Sequence, residues 1–132
     1  MIIPITDKLD ILKWADYLRQ LRPLTCGDTI EAIIARFLSG HLYGVIAEDD
    51  EDGKVMGLCI YSVIGETVFV QAVYAPGNTS AFLEEFTDYI KANHKARLMM
   101  FASKHTDRLW EQLLKGVKRA WTVYEYEIPQ GG

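Results

Sequence analysis

With 132 residues, 49% of them hydrophobic and 24% charged, the chain can bury one apolar core without disulfides or metals and is too balanced in composition for a disordered or fibrous protein. A net charge of −4 argues against general attraction to nucleic acid, which needs an excess of clustered Lys and Arg. No apolar run is long enough to cross a bilayer and the first residues lack the layout of a secretory leader, so a cytoplasmic protein with no membrane partner is expected. Met1 to Ile5 predicts a short strand, kept to an edge by Pro4, which has no N–H for a ladder. Thr6 or Asp7 then caps a helix with Ile11, Trp14, Ala15, Leu18 and Leu21 on one stripe, closed by Arg22-Pro23. A second helix starts near Thr25 to Asp28, buries Ile30, Ile33, Ile34, Phe37 and Leu38, and ends at Ser39-Gly40.

Leu42–Glu48 and Val55–Ile64 read as strands on either side of an acidic, glycine-bearing tip, Asp49 to Lys54. The tip lacks the ligand spacing of a calcium loop and reads as a solvated turn. Gly65-Glu66 makes a second tight turn into a strand over Thr67–Tyr74, which completes an antiparallel meander. A third helix from Thr79 to Asn93 buries Phe82, Leu83, Phe86, Tyr89 and Ile90, with Glu84, Glu85 and Asp88 on its wet side. Arg97 to Ala102 reads as a strand buried on both faces, Thr106 to Lys115 as a fourth helix stopped by Gly116, and Arg119 to Ile128 as a closing strand. Cys26 and Cys59 have no metal or redox spacing and read as free thiols. The sum is a single α+β domain over residues 1–132, a mostly antiparallel sheet flanked by about four helices.

That order of elements resembles the GNAT superfamily of acetyl-CoA-dependent N-acetyltransferases. The likeness rests on Met1-Ile-Ile with Thr6-Asp-Lys-Leu-Asp, on Gln71-Ala-Val-Tyr-Ala-Pro-Gly and on Leu109-Trp-Glu-Gln-Leu-Leu-Lys-Gly. In such proteins the fourth and fifth strands splay, and the cofactor's pantetheine arm lies in the gap. The resemblance implies that Val70, Gln71, Ala72 and Val73 line that gap and that Gly77, Asn78, Thr79 and Ser80 meet the phosphates of acetyl-CoA, using the unpaired amides that open a helix. The family loop carries Arg or Gln and two spaced glycines; this one has a single glycine and no basic residue. The same stretch also reads as a plain turn with Thr79 as a helix cap.

The family's tyrosine acid on the fourth helix is replaced by Trp110 or Gln112, depending on alignment. Tyr74, at the end of the cofactor strand, is the first substitute proton donor; His105, Tyr124 and Tyr126 are others, and each also reads as an ordinary edge or surface residue. Glu66, just before that strand, is a candidate base and equally the polar half of a turn. The resemblance implies acetyl transfer to the primary amine of a small molecule or protein. The alternative is a non-catalytic protein of the same fold, as among small components of tailed bacteriophages, and an exposed strand edge leaves a homo-oligomer open.

Overall fold

The computed structural model describes residues 1–19, 29–77, 79–101, 112, 114–119, 126 and 128–129. Five strands lie in chain order: β1 (Ile2–Pro4), β2 (Tyr43–Glu48), β3 (Val55–Ile64), β4 (Thr67–Tyr74) and β5 (Leu98–Met100). The first four are antiparallel neighbours, and β5 joins β4 in parallel. A parallel neighbour needs a crossover, and helix α3 (Thr79–His94) supplies it. Helices α1 (Ile11–Arg19) and α2 (Ile30–Leu38) lie between β1 and β2 in the chain.

Local chemistry sets most of the boundaries. Asp7 caps a 3-10 turn over Lys8–Asp10 by accepting from the Leu9 amide at 3.0 Å, and α1 follows directly. Thr29 caps α2, its hydroxyl accepting from the Ala32 amide at 3.1 Å. Gly40 ends that helix at φ +90, where a side chain would be strained. At the acidic hairpin tip the Asp49 carboxylate accepts from the amides of Glu51 at 2.8 Å and Asp52 at 3.4 Å, so one carboxylate organises the turn.

The sheet is covered on two faces. On one, Ile11, Leu18, Ile33 and Phe37 of α1 and α2 pack on Ile46, Leu58, Ile60 and Ala72, with Trp14 half-buried beside them. On the other, Phe82, Leu83, Phe86 and Ile90 of α3 pack on Val45, Cys59, Tyr61, Val68 and Val70. Alternate side chains of one strand feed opposite clusters, which is the period-two rule at work. Gly57 lets the Phe82 ring lie against the sheet: a β-carbon there would come within 2.3 Å of Phe82 Cδ2.

Several sequence expectations are corrected. Leu38 is exposed, because the α2 stripe already fills with Ile30, Ile33, Ile34 and Phe37. Tyr89 is half-buried rather than buried. The fifth strand is three residues long and not buried on both faces: Leu98 is 63% exposed, because α1 and α2 do not reach that end of the sheet. The expected closing strand over Arg119 to Ile128 lies mostly outside the described residues; of it, Arg119, Tyr126 and Ile128 are described and belong to no strand, and Tyr126 and Ile128 are exposed. Gly116 does take the left-handed φ of +91 expected after a helix, and the Val117 amide donates to Leu114 O. The second helix starts at Ile30 rather than near Thr25 to Asp28, because Thr29 is extended and caps it. The rest of the fourth helix, Leu21, Cys26 and the tryptophans Trp110 and Trp121 lie outside the described residues.

Burial pushes the Cys59 thiol well above its usual range and, with nearby Tyr89, raises the Tyr61 phenol too. Both groups stay neutral in the folded chain and ionise more easily when unfolded. Their contribution is therefore fully present below the usual thiol and phenol pKa values and is lost as pH rises, so Tm followed by circular dichroism should fall between about pH 9 and 11. Gly57→Ala should cost about 1–3 kcal/mol in urea unfolding, since the Phe82 ring would be forced off the sheet.

Candidate active site

The site begins with one extra residue. Along β3 and β4 the pairs run Ile64↔Thr67, Val63↔Val68, Ser62↔Phe69 and Tyr61↔Val70, and then jump to Ile60↔Ala72, Cys59↔Val73 and Leu58↔Tyr74. Gln71 has no β3 partner of its own, which is a β-bulge, and a bulge bends its strand and twists it more strongly. It also resets the alternation: Val68 and Val70 face α3, whereas beyond it Ala72 and Tyr74 pack with the α1/α2 cluster and Val73 with the α3 cluster.

The bend coincides with the end of the β4–β5 ladder. Pairing is limited to Thr67↔Leu98, Val68↔Met99 and Phe69↔Met100, although β4 runs on to Tyr74. Phe101 would face Val70 if the ladder continued, yet it has left the strand. An apolar cavity of about 30 Å³ opens there, lined by Val70, Val73, Thr79, Leu83, Phe86, Met99, Phe101 and Leu114. Among the described residues, nothing from β5 pairs with 70–74.

Gln71 is only 6% exposed, and its Oε1 accepts from Arg36 Nη2 of α2 at 3.2 Å, while its own amide donates to Phe69 O at 3.4 Å. A guanidinium is thereby drawn to the α1/α2 side of the opening. On the α3 side the walls are apolar, so the two sides differ in character.

Residues 75–80 connect the strand to α3. Gly77 is exposed, its φ lies outside the left-handed region, and a β-carbon added there would meet only Met56 Cε, at 4.0 Å. Thr79 is half-buried and its hydroxyl donates to Ala75 O at 2.7 Å, which closes the turn onto the helix; Ser80 is exposed. Beside this turn a wider concavity of about 230 Å³ is lined by Met56, Phe82 and the acidic Glu48, Asp49, Asp50 and Glu85.

Tyr74 is half-buried against the α1/α2 cluster at the open end of β4. Glu66 stands at the other end, exposed, its carboxylate 3.7 Å from Arg97 and its carbonyl accepting from the Arg97 and Leu98 amides. At ~3.3 Å per residue the strand separates Glu66 from Tyr74 by about 25 Å, so the structure does not bring them together. Gln112 is exposed on a helical turn and Tyr126 is 79% exposed. Asn78, His105 and Tyr124 lie outside the described residues. Sequence reasoning missed Arg36; the readable signal was a lone amide in the apolar run Val68 to Tyr74, which needs a polar partner once buried.

No family model matches the sequence, and no curated protein is significantly similar to it. Solved structures do resemble it along their whole length. A ribosomal-protein-alanine N-acetyltransferase from Brucella melitensis biovar Abortus 2308 matches with a TM-score of 0.65 at 14% identity, over 97% of this chain and 99% of that one. AAC(6')-Iy, in complex with the bisubstrate analogue CoA-S-monomethyl-acetylneamine, matches with a TM-score of 0.61 at 17% identity, over 98% and 97%. AAC(6')-IG from Acinetobacter haemolyticus gives 0.61 at 11%, over 98% and 99%. The likeness is one of fold: this chain has the GNAT fold of N-acetyltransferases, with its sheet, crossover helix and strand order. Among the described residues no helix is long and apolar enough to cross a membrane.

Gln71→Leu should remove the acceptor that Arg36 uses at the bulge and lower stability by about 1–3 kcal/mol. Urea unfolding of the variant beside Gln71→Glu, which keeps an acceptor oxygen, checks that the loss comes from the hydrogen bond.

Proposed function

We propose that this protein is an N-acetyltransferase that takes an acetyl group from acetyl-CoA and gives it to a primary amine. The observation behind this reading is the early end of the β4–β5 ladder at Phe69↔Met100, next to the bulge at Gln71. An amide-bearing arm laid along residues Val70 to Val73, with which β5 makes no pairing among the described residues, would bond to the strand as a strand added to a sheet edge does. The cavity at the apex is small, so the strands must part further to admit the arm. The phosphate end fits less well: Gly77, Asn78, Thr79 and Ser80 supply a helix N-terminus but no Lys or Arg.

The bound donor supplies an activated thioester. The chain's part is to hold it in line with the acceptor, since positioning converts an encounter into an effectively unimolecular step. With the donor held there, the β4 amides beside Gln71 would polarise the thioester carbonyl oxygen as the amine nitrogen bonds to its carbon, and Tyr74 would give its proton to the sulfur as the C–S bond breaks. Water at the strand edge takes the ammonium proton, because Glu66 lies at the far end of the strand. The amine enters from the α1/α2 side.

A second reading keeps the fold as a non-catalytic binding or structural scaffold. The acidic concavity favours it: Met56, which lines it, also borders Gly77, so carboxylates stand close to where phosphates would sit.

Acetyl-CoA or CoA should raise Tm in a thermal-shift assay, because a ligand of the folded state alone stabilises it by mass action. Gly77→Val should abolish that shift while leaving the ligand-free Tm in place, since the space at Gly77 is open. Tyr74→Phe should keep the shift and lower kcat by about 100-fold; equal loss in His105→Ala, with Tyr74→Phe unaffected, would move the acid to His105. No shift at roughly millimolar CoA would leave the scaffold reading standing instead.

A further inference from the structure

Below the bulge, two rows of the sheet lie outside both core clusters. The register sets Ser62, Phe69 and Met100 side by side across β3, β4 and β5, and Ile64, Thr67 and Leu98 in the next row. These rows fall on the face opposite α3, because Val63, Val68 and Met99, which alternate with them, pack in the α3 cluster. On this face α1 and α2 cover the other end of the sheet, over Ile46, Leu58, Ile60 and Ala72. Ile64 is left 68% and Leu98 63% exposed, with Phe69 and Met100 half-buried in the adjoining row. Among the described residues, the Glu66 carboxylate and the Arg97 guanidinium stand at the margin, 3.7 Å apart and mostly in solvent. An exposed pair of this kind adds little to the stability of its own chain.

We infer that this end of the sheet is where a second copy of the chain docks, as a two-fold dimer. In a two-fold contact one surface meets itself, so Ile64 and Leu98 of one copy lie on the same row of the other, and an apolar centre forms inside a polar rim. The rim is self-complementary. Glu66 of each copy meets Arg97 of the other, whereas a partner of one charge sign would place like charges together. Each copy carries a net charge of −4, so a contact that pairs opposite charges is favoured over one that brings carboxylates together. Among the described residues Glu66 and Arg97 offset each other at this margin, whereas exposed Met56 sits among Glu48, Asp49, Asp50 and Glu85, where a second copy would be repelled.

Light scattering on the eluting full chain tests this. The wild type should read twice the chain mass, and Leu98→Lys should halve the reading while the circular dichroism spectrum and Tm stay near the parent. Ile64→Lys carries the same expectation should Leu98→Lys fold poorly. Arg97→Glu, at a fully surface position, should also dissociate the dimer, and the swapped pair Glu66→Arg/Arg97→Glu should restore it. A wild type of single-chain mass overturns the inference, and so does a dimer that persists in folded Leu98→Lys or Ile64→Lys.

Discussion

One surplus residue in β4 organises the molecule. Because Gln71 has no counterpart on β3, the strand bends there, and the side chains after it change faces. Among the described residues the β5 ladder stops at Phe69, two residues before that bend, so β5 leaves β4 where the strand turns. The same bend lets Val73 serve the α3 cluster and Tyr74 the α1/α2 cluster, an assignment that a regular strand would reverse. A bulge leaves backbone groups off the ladder at some energetic cost, and here the buried amide of Gln71 with the Arg36 guanidinium holds it in place.

The two sides of the opening are built differently because different helices cover them. The α3 side is apolar, made by Leu83 and Phe86 with Met99 and Phe101, and suits the uncharged part of a ligand. The α1/α2 side carries Arg36, Gln71 and Tyr74, with the hydroxyl and guanidinium needed for polar chemistry. Further along, acidic residues border the turn into α3. A phosphate-bearing donor would thus meet favourable amides and unfavourable carboxylates at neighbouring points, and the balance between them divides an enzyme from a scaffold on the same fold.

Elsewhere the packing is ordinary and specific. Tyr61 is fully buried, its hydroxyl 2.9 Å from His94 Nε2, and His94 sits edge-on to Tyr43, Tyr61 and Tyr89 at the end of α3. Since burial keeps that phenol protonated, it can donate to the imidazole and tie the helix end to β3. At the opposite end of the helix Phe82 lies on Gly57. The crossover is therefore pinned at both ends, which fixes where β5 re-enters the sheet.

Much of this was legible in the chain. The strands Val55–Ile64 and Thr67–Tyr74 and the start of the crossover helix at Thr79 follow from alternation, turn glycines and helical spacing, all of which depend on neighbours in sequence. The length of β5 was not: Leu98 to Met100 look buried because they are apolar, yet whether a helix covers them depends on chain folded from elsewhere. The separation of Glu66 from Tyr74 was legible, since the strand between them sets it; which end of the strand faces the opening was not. By itself the sequence determined the elements from β1 to β5, their order and a resemblance in layout, because backbone preference and hydrophobic period act locally. Only the tertiary structure decided where β4 gains its extra residue, where β5 leaves it, and that Arg36 arrives at that point, because these depend on registers between segments distant in the chain.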